Sequence, residues 1–243
     1  MTSNVIDQSQ RKAAKVAGIA FLFAMAIVVF TNYSVSFRFI IPDNAVDTAR
    51  NIMAHETLFR INIVCNLLYL ITLIVMFTSL YVVLKPVNKN LALASAFFRL
   101  LYALMWGLMA INTLAAIRLL GNTGYLPVFE TNQLQTLSRL HLSSSWDAYY
   151  VGLPFWGLAS SVCSYLWLRS RYIPRALAIF GIISSVWCVF CGFAYLISPD
   201  FGKTVHLALF DVPLTIFELT LGFWLLFKGL KPVGLAKSNP INQ

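Results

Sequence analysis

Charge is what this sequence has least of. Asp, Glu, Lys and Arg make up 11% of its 243 residues, against roughly 25% in a soluble globular domain. A chain this poor in charge cannot cover a water-facing surface of its own size, so a soluble fold of one or two domains is excluded. Acids are the scarcer half, with nine Asp and Glu against 18 Lys and Arg. Histidine is scarce as well. His55, His141 and His206 show neither HxxxH nor HxxE spacing, so they are weak candidates for a metal, which needs three or four converging ligands. The four cysteines, Cys65, Cys163, Cys188 and Cys191, all fall inside apolar runs; no external disulfide framework is implied. No P-loop, GxSxG, HExxH or glycine-rich nucleotide loop is present, and no cofactor is expected.

Apolar runs take the place of charge. The sequence is 59% hydrophobic with a mean hydropathy of +0.74, and it divides into stretches of about 20 apolar residues, the length that crosses a bilayer core. Six occur, at about 13–37, 57–84, 91–119, 145–168, 176–197 and 205–227. The expected fold is all-α: a polytopic transmembrane bundle of six helices. Residues 1–12 form a leader, 13–229 the transmembrane domain and 230–243 a tail. Ala24-Met25-Ala26 resembles a signal-peptide cleavage site, but the apolar run continues through Ile27, Val28, Val29 and Phe30. A retained first helix is therefore expected.

The formal charge of +9 is distributed by side. Arg11, Lys12, Lys15, Lys85, Lys89, Arg169, Arg171, Arg175, Lys228, Lys231 and Lys237 fall on one side of the six spans; Arg38, Arg50, Arg60, Arg118, Arg139 and Lys203 fall on the other. Lys and Arg accumulate in short cytoplasmic loops, which places both termini inside. The basic charge is thus a topology signal with some attraction to anionic headgroups, and nucleic acid is not an expected partner. Two outer loops carry apolar residues at helical spacing. The first has Ala45, Val46, Ala49, Ile52 and Met53 behind Pro42-Asp43; the third opens with Gly121, Gly124 and Pro127 and continues with Leu134, Leu137, Leu140 and Leu142. Short amphipathic helices are expected in both. Tyr33, Tyr81, Trp146, Tyr149, Tyr150, Trp167, Tyr172 and Tyr195 stand near span ends, as in an aromatic belt. Lys85-Pro86-Val87 after span two is echoed by Lys231-Pro232-Val233 after span six; proline stopping a helix beside an inner lysine accounts for both.

Ionisable residues inside a span need partners, because a charge near the hydrocarbon centre costs at least about 2.5 kcal/mol. Arg99 lies roughly 13 Å in from Asn90, and Glu218 about 15 Å in from Lys228, at the helical rise of about 1.5 Å per residue. The matching depths predict an ion pair between spans three and six. Asp211, Thr215, Glu218 and Gly222 share one face of span six, interrupted by Pro213. Arg99, Tyr102 and Trp106 share a stripe of span three, with Asn112 nearer the outside. Span two offers Asn62, Asn66 and Tyr69, with Arg60 at its outer end, and span four offers Asp147 and Tyr150 at its outer edge. The asparagines are expected to act as interhelical hydrogen-bonding glue. Together these faces define the candidate binding residues Arg99, Glu218, Asp211, Asn66, Asn62, Tyr102, Asn112, Arg60 and Asp147, placed to line a cavity open to the outside.

An ordered set of short strings carries a resemblance. Leu58-Phe59-Arg60, Leu84-Lys85-Pro86-Val87-Asn88, Phe97-Phe98-Arg99-Leu100, Tyr172-Ile173-Pro174-Arg175, Glu218-Leu219, Trp224 and Lys228-Gly229 are similar to the domain-of-unknown-function 4386 family, over about Arg11 to Gly229. The resemblance implies a six-span bacterial membrane protein with no assigned activity, in the cytoplasmic membrane. Many members carry an acid in span two where Asn66 stands, and histidines around span four where this chain has Ser145 or Trp146 and Ala159, so chemistry through those groups does not transfer. The favoured function is a membrane-embedded protein that binds a small molecule or lipid, or regulates a partner. A six-span transporter would pair as a homodimer to complete a path. The alternative is an enzyme using the outer His/Asp set or Cys188-Val189-Phe190-Cys191 in span five, a CxxC without a second cysteine pair in an outer loop. The topology is testable by fusion. A reporter active only in the cytoplasm is expected to work after Lys89, Arg171 or Lys237 and to fail near Asn51, Asn132 or Gly202. A cytoplasmic signal at Asn132 would overturn the six-span order.

Overall fold

The computed structural model describes residues 6–121, 128–198 and 200–231; Gly124, Pro127, Pro232, Val233 and Lys237 lie outside them. The described residues form helices and short connections, with no strand. Six helices are long and apolar enough to cross a membrane: α1 (Gln8–Phe39), α3 (Glu56–Leu84), α4 (Lys89–Leu120), α5 (Thr131–Ser170), α6 (Arg175–Ile197) and α8 (Ala208–Lys228). Two short helices join them, α2 (Ala45–Ala54) and α7 (Phe201–Thr204). The chain is a multi-pass membrane protein. Its exposed side chains say the same: Ile19, Phe97, Ile111, Ile183 and Phe227 are each more than half exposed, a surface suited to lipid. Helix α5 is central, with 61% of its most apolar stretch buried against 39–44% for the other five.

Local sequence fixes the helix starts. Asp7 caps α1, accepting from the Gln10 backbone N–H at 2.7 Å while the Gln10 side chain accepts from the Asp7 N–H at 3.1 Å, a reciprocal capping box. Helix α1 therefore begins five residues before the apolar run, and Arg11 and Lys12 lie on its first turns. The buried Gln10 amide also donates to the Val83 carbonyl at 3.1 Å and the Tyr172 hydroxyl at 3.4 Å. The Lys231 N–H donates to the Tyr172 carbonyl at 2.8 Å. These bonds gather the start of α1, the end of α3, the α5–α6 turn and the exit from α8 at one end of the bundle, called here the terminal end. Helices α2 and α7 cap the far end.

The expected helix in the first outer loop is α2, capped by Asn44, which accepts from Asp47 N–H at 2.9 Å. It seats Ile52 in a small apolar cluster with Val35, Phe59, Ile117 and Leu142. The expected helix in the third outer loop is helical but not separate. From Thr131 it runs without interruption into span four as the 40-residue α5. No Gly or Pro occurs between Thr131 and Tyr150, so nothing stops it. Its Ser138 hydroxyl donates to the Ala116 carbonyl of α4 at 3.1 Å.

Two features shape the bundle interior. Pro213 in α8 has no N–H to give the Leu209 carbonyl, and the Trp187 indole of α6 donates to that carbonyl at 2.7 Å, fastening α6 to α8. Gly18 of α1 meets α8 at backbone contact: a Cβ there would stand 2.8 Å from the Gly222 oxygen and 2.8 Å from the Leu226 nitrogen. Membrane helices pack closest over such small residues. Gly18→Val must push α1 from α8, an overpacking worth about 1–3 kcal/mol, and is expected to lower the melting temperature in detergent by about 3–10 °C. Gly107→Ala meets only the end of Leu70, at 3.3 Å, and should shift it little. Equal losses in the two variants would rule out the close α1–α8 contact.

Candidate functional site

At the bundle centre, Arg99 of α4 and Glu218 of α8 form an ion pair, Nη2 to Oε1 at 2.9 Å, with side chains 2% and 12% exposed. Helix α5 completes the site. The Ser160 hydroxyl accepts from Arg99 Nη2 at 2.8 Å and donates to Glu218 Oε1 at 2.7 Å; the Trp156 indole donates to the same oxygen at 2.9 Å. One carboxylate oxygen thus takes three donors. The guanidinium is less well served. Its Nη1 faces the Met76 sulfur at 4.0 Å, and its Nε has no partner among the described residues. The Phe21 ring lies 5.8 Å from its carbon centre, so the cation relies on a π face and a thioether where oxygen acceptors are missing.

Above this centre, toward the far end, lies a layer of aromatic rings. Tyr102 stacks on Trp156 with centroids 5.5 Å apart and planes at 10°. Trp106 packs against Tyr69 at 4.0 Å and edge-on against Tyr102 and Tyr149. The Tyr149 hydroxyl donates to Asp211, so the third ionisable group of the spans also has its partner.

Beyond the aromatic layer a cavity opens among α1, α3, α4 and α5, with room of about 30 Å³. Its polar lining is Thr31, Asn32, Ser36, Asn62, Asn66, Thr113 and Ser145, and Trp106 forms part of the wall. Every one of these groups is uncharged. Asn32 and Ser36 belong to a π-helical turn, Asn32–Ser36, that widens α1; such turns occur frequently at functional sites. Two buried atoms of the lining residues have no hydrogen-bond partner among the described residues, the Asn62 side-chain oxygen and the Trp106 indole nitrogen. Phe37 of α1 stacks on Trp146, a lining residue, with centroids 6.4 Å apart and planes at 12°.

The sequence-derived candidates separate accordingly. Arg99 and Glu218 meet each other but do not line the cavity; Asn62 and Asn66 do. Neither asparagine makes a side-chain hydrogen bond among the described residues, so the expectation of interhelical glue fails for both; the two residues line the cavity. Asn112 does act as glue, its Oδ1 lying 3.2 Å from Nδ1 of His141. Tyr102 sits in the aromatic layer. Arg60 is bound to Glu56 at 2.7 Å on the exposed start of α3, and Asp147 is exposed; neither joins the cavity. The histidines do not converge. His55 packs on Phe39 and His206 Nδ1 accepts from the Ala208 N–H, and among the described residues no group of three or more His, Cys, Asp or Glu could hold a metal ion. Cys188 and Cys191 are buried free thiols. Ser160 and Trp156 were not singled out, although a signal existed. Ser145, Tyr149, Gly152, Trp156, Ser160, Cys163 and Trp167 recur every three or four residues, one face of a helix.

The central pair is testable by a double-mutant cycle. Arg99→Met strands a carboxylate, and breaking a buried pair in this way costs about 3–5 kcal/mol, enough to lower the melting temperature by about 10 °C. Glu218→Gln keeps an acceptor for Trp156 and Ser160 and should lose less. The double variant is expected to recover part of the sum; strictly additive losses would show that the two residues are not coupled.

A family model described as a domain of unknown function (DUF4386) matches residues 16–229, a stretch that begins within α1 and ends at the residue after α8. Comparison with curated proteins and with solved structures found no match. With that match reaching into all six membrane-crossing helices, the chain belongs to the DUF4386 family.

Proposed function

We propose that this protein binds a small, uncharged polar molecule in the cavity among α1, α3, α4 and α5, from the bundle end opposite its termini, while embedded in the bacterial cytoplasmic membrane with both ends in the cytoplasm. The observation that carries the reading is the pair of buried groups without partners, Asn62 Oδ1 and Trp106 Nε1, on residues that wall one cavity. A buried polar atom without a hydrogen bond costs about 1–3 kcal/mol, and a native interior leaves few of them. One is an acceptor and the other a donor, so the complement is a ligand that both donates and accepts.

The charges around the cavity narrow the ligand class. The polar lining is neutral; Arg99 and Glu218 engage each other on the other side of the aromatic layer, and Asp211 is engaged by Tyr149. A charged ligand would find no counterion and would bear the desolvation penalty alone. Size narrows it further. The room of about 30 Å³ holds two or three waters at roughly 10–15 Å³ each, so any larger ligand widens the site. The π turn of α1 and the Phe37–Trp146 stack stand where that widening would act.

The reading predicts an unusual mutant. Asn62→Leu replaces the unpaired amide by an apolar side chain with the same number of heavy atoms, its extra bulk directed at the cavity, so it should leave stability unchanged or raise it by about 1 kcal/mol. Purified protein would be screened by thermal shift against sugars, polyols, small amides and neutral amino acids. A ligand at 100 times its Kd adds about 2.7 kcal/mol, a rise of about 5–10 °C. At least one class should produce that rise in the wild type and not in Asn62→Leu. No rise with any class, together with no small-molecule adduct in native mass spectra of gently extracted protein, would sink the proposal.

A further inference from the structure

The net positive charge of the described residues is concentrated at one end of the bundle. The far end carries six cations and six acids, and three of its cations are paired: Arg50 with Asp47 at 3.1 Å, Arg60 with Glu56 at 2.7 Å and Lys203 with Asp200 at 2.7 Å. The terminal end is different. Among the described residues it presents ten Lys and Arg, all exposed, with Asp7 as its sole acid, and none of the ten takes part in an ion pair. Ten like charges crowded at one boundary repel one another, and Asp7 alone in the described chain opposes them there.

We propose that this end is a docking surface for anionic phospholipid, centred on Arg171, Arg175, Lys228 and Lys231. The Lys231 N–H bond to the Tyr172 carbonyl, at 2.8 Å, draws the exit of α8 to the α5–α6 turn and brings the four cations to one side. The Lys231 ammonium lies 5.1 Å from the Trp224 ring centre, which steadies it at the boundary. Arg171 ends α5 in the left-handed region, φ 58°, a position that glycine usually fills; here it carries a cation. The surface below the four cations is what selects a lipid over a soluble polyanion. Ile179 and Ile183 of α6 and Phe223 and Phe227 of α8 are exposed, so acyl chains can lie along the helices whose ends hold the phosphate. Basic clusters at the end of a membrane span attract acidic lipid, about five-fold per cation near the surface.

The test uses full-length protein in nanodiscs of equal phosphatidylglycerol and phosphatidylcholine with matched chains, released into a native mass spectrometer. Wild-type protein should retain phosphatidylglycerol over phosphatidylcholine by at least about five-fold. Replacing Arg171, Arg175, Lys228 and Lys231 together with Gln should bring the ratio near parity, while Arg118→Gln/Lys203→Gln at the far end should leave it unchanged. The charge-keeping set, with Arg171→Lys, Arg175→Lys, Lys228→Arg and Lys231→Arg, should retain the preference and controls for folding. Parity in the wild type would overturn the proposal, and so would an equal loss from the far-end variant. Soluble polyphosphate that binds in pure phosphatidylcholine and resists competition by phosphatidylglycerol would assign the surface to a soluble polyanion and overturn it likewise.

Discussion

Arg99 cannot lose its proton in any protein environment, so its charge has to be neutralised where the backbone of α4 puts it, buried near the middle of a span. That requirement reaches four helices. Helix α8 must present Glu218 at the same depth, α5 must bring Ser160 and Trp156 to the shared oxygen, and α1 must come close enough to α8 for Phe21 to cover the guanidinium. The last condition explains Gly18 and Gly222, which let the two backbones touch beneath Phe21. In hydrocarbon, apolar side chains gain nothing by leaving lipid for one another, so a directional polar contact is one of the few ways to set the rotation and depth of a helix. The ion pair supplies it for α4, α5 and α8 at once.

With its ionic groups consumed in this way, the protein keeps charge out of its cavity. The stack of Tyr102 on Trp156 and the packing of Trp106 against Tyr69 stand between the Arg99–Glu218 centre and the room lined by Asn62 and Asn66. The charged centre is therefore structural in its effect on the cavity: it fixes the walls on which the neutral polar groups are mounted.

Much of the architecture was legible from composition alone. Six apolar runs and matched depths for Arg99 and Glu218 require only the length of a span and the rise of a helix, which membrane helices obey closely. What escaped was rotational. Spacing places Asn62 and Asn66 on one stripe of α3 but does not say whether that stripe faces a helix or a gap, because the answer depends on the π turn of α1, which no local residue pattern announces. Arg60 and Asp147 share their stretches of chain with true lining residues, yet point to the surface. The polar residues at 131–144 resemble a connection, yet backbone hydrogen bonding carries one helix through them and on past Gly152 and Pro154, so neither polarity nor a single Pro marks a boundary there.

Polar atoms without a partner among the described residues occur elsewhere in the interior, at Ser164, Trp167 and Trp224 among others, so Asn62 needs a reason beyond its lack of a bond. A tryptophan is useful for its ring even when its N–H bonds nothing, and a serine is small enough to serve helix packing. Asparagine has neither excuse. It disfavours helix interiors, and its amide resists entry into hydrocarbon. Asn66, also buried on the cavity wall, is open to the same objection. Two such residues one turn apart, neither hydrogen-bonded to a neighbouring helix and both lining the same room, are what the proposed polar occupant would explain.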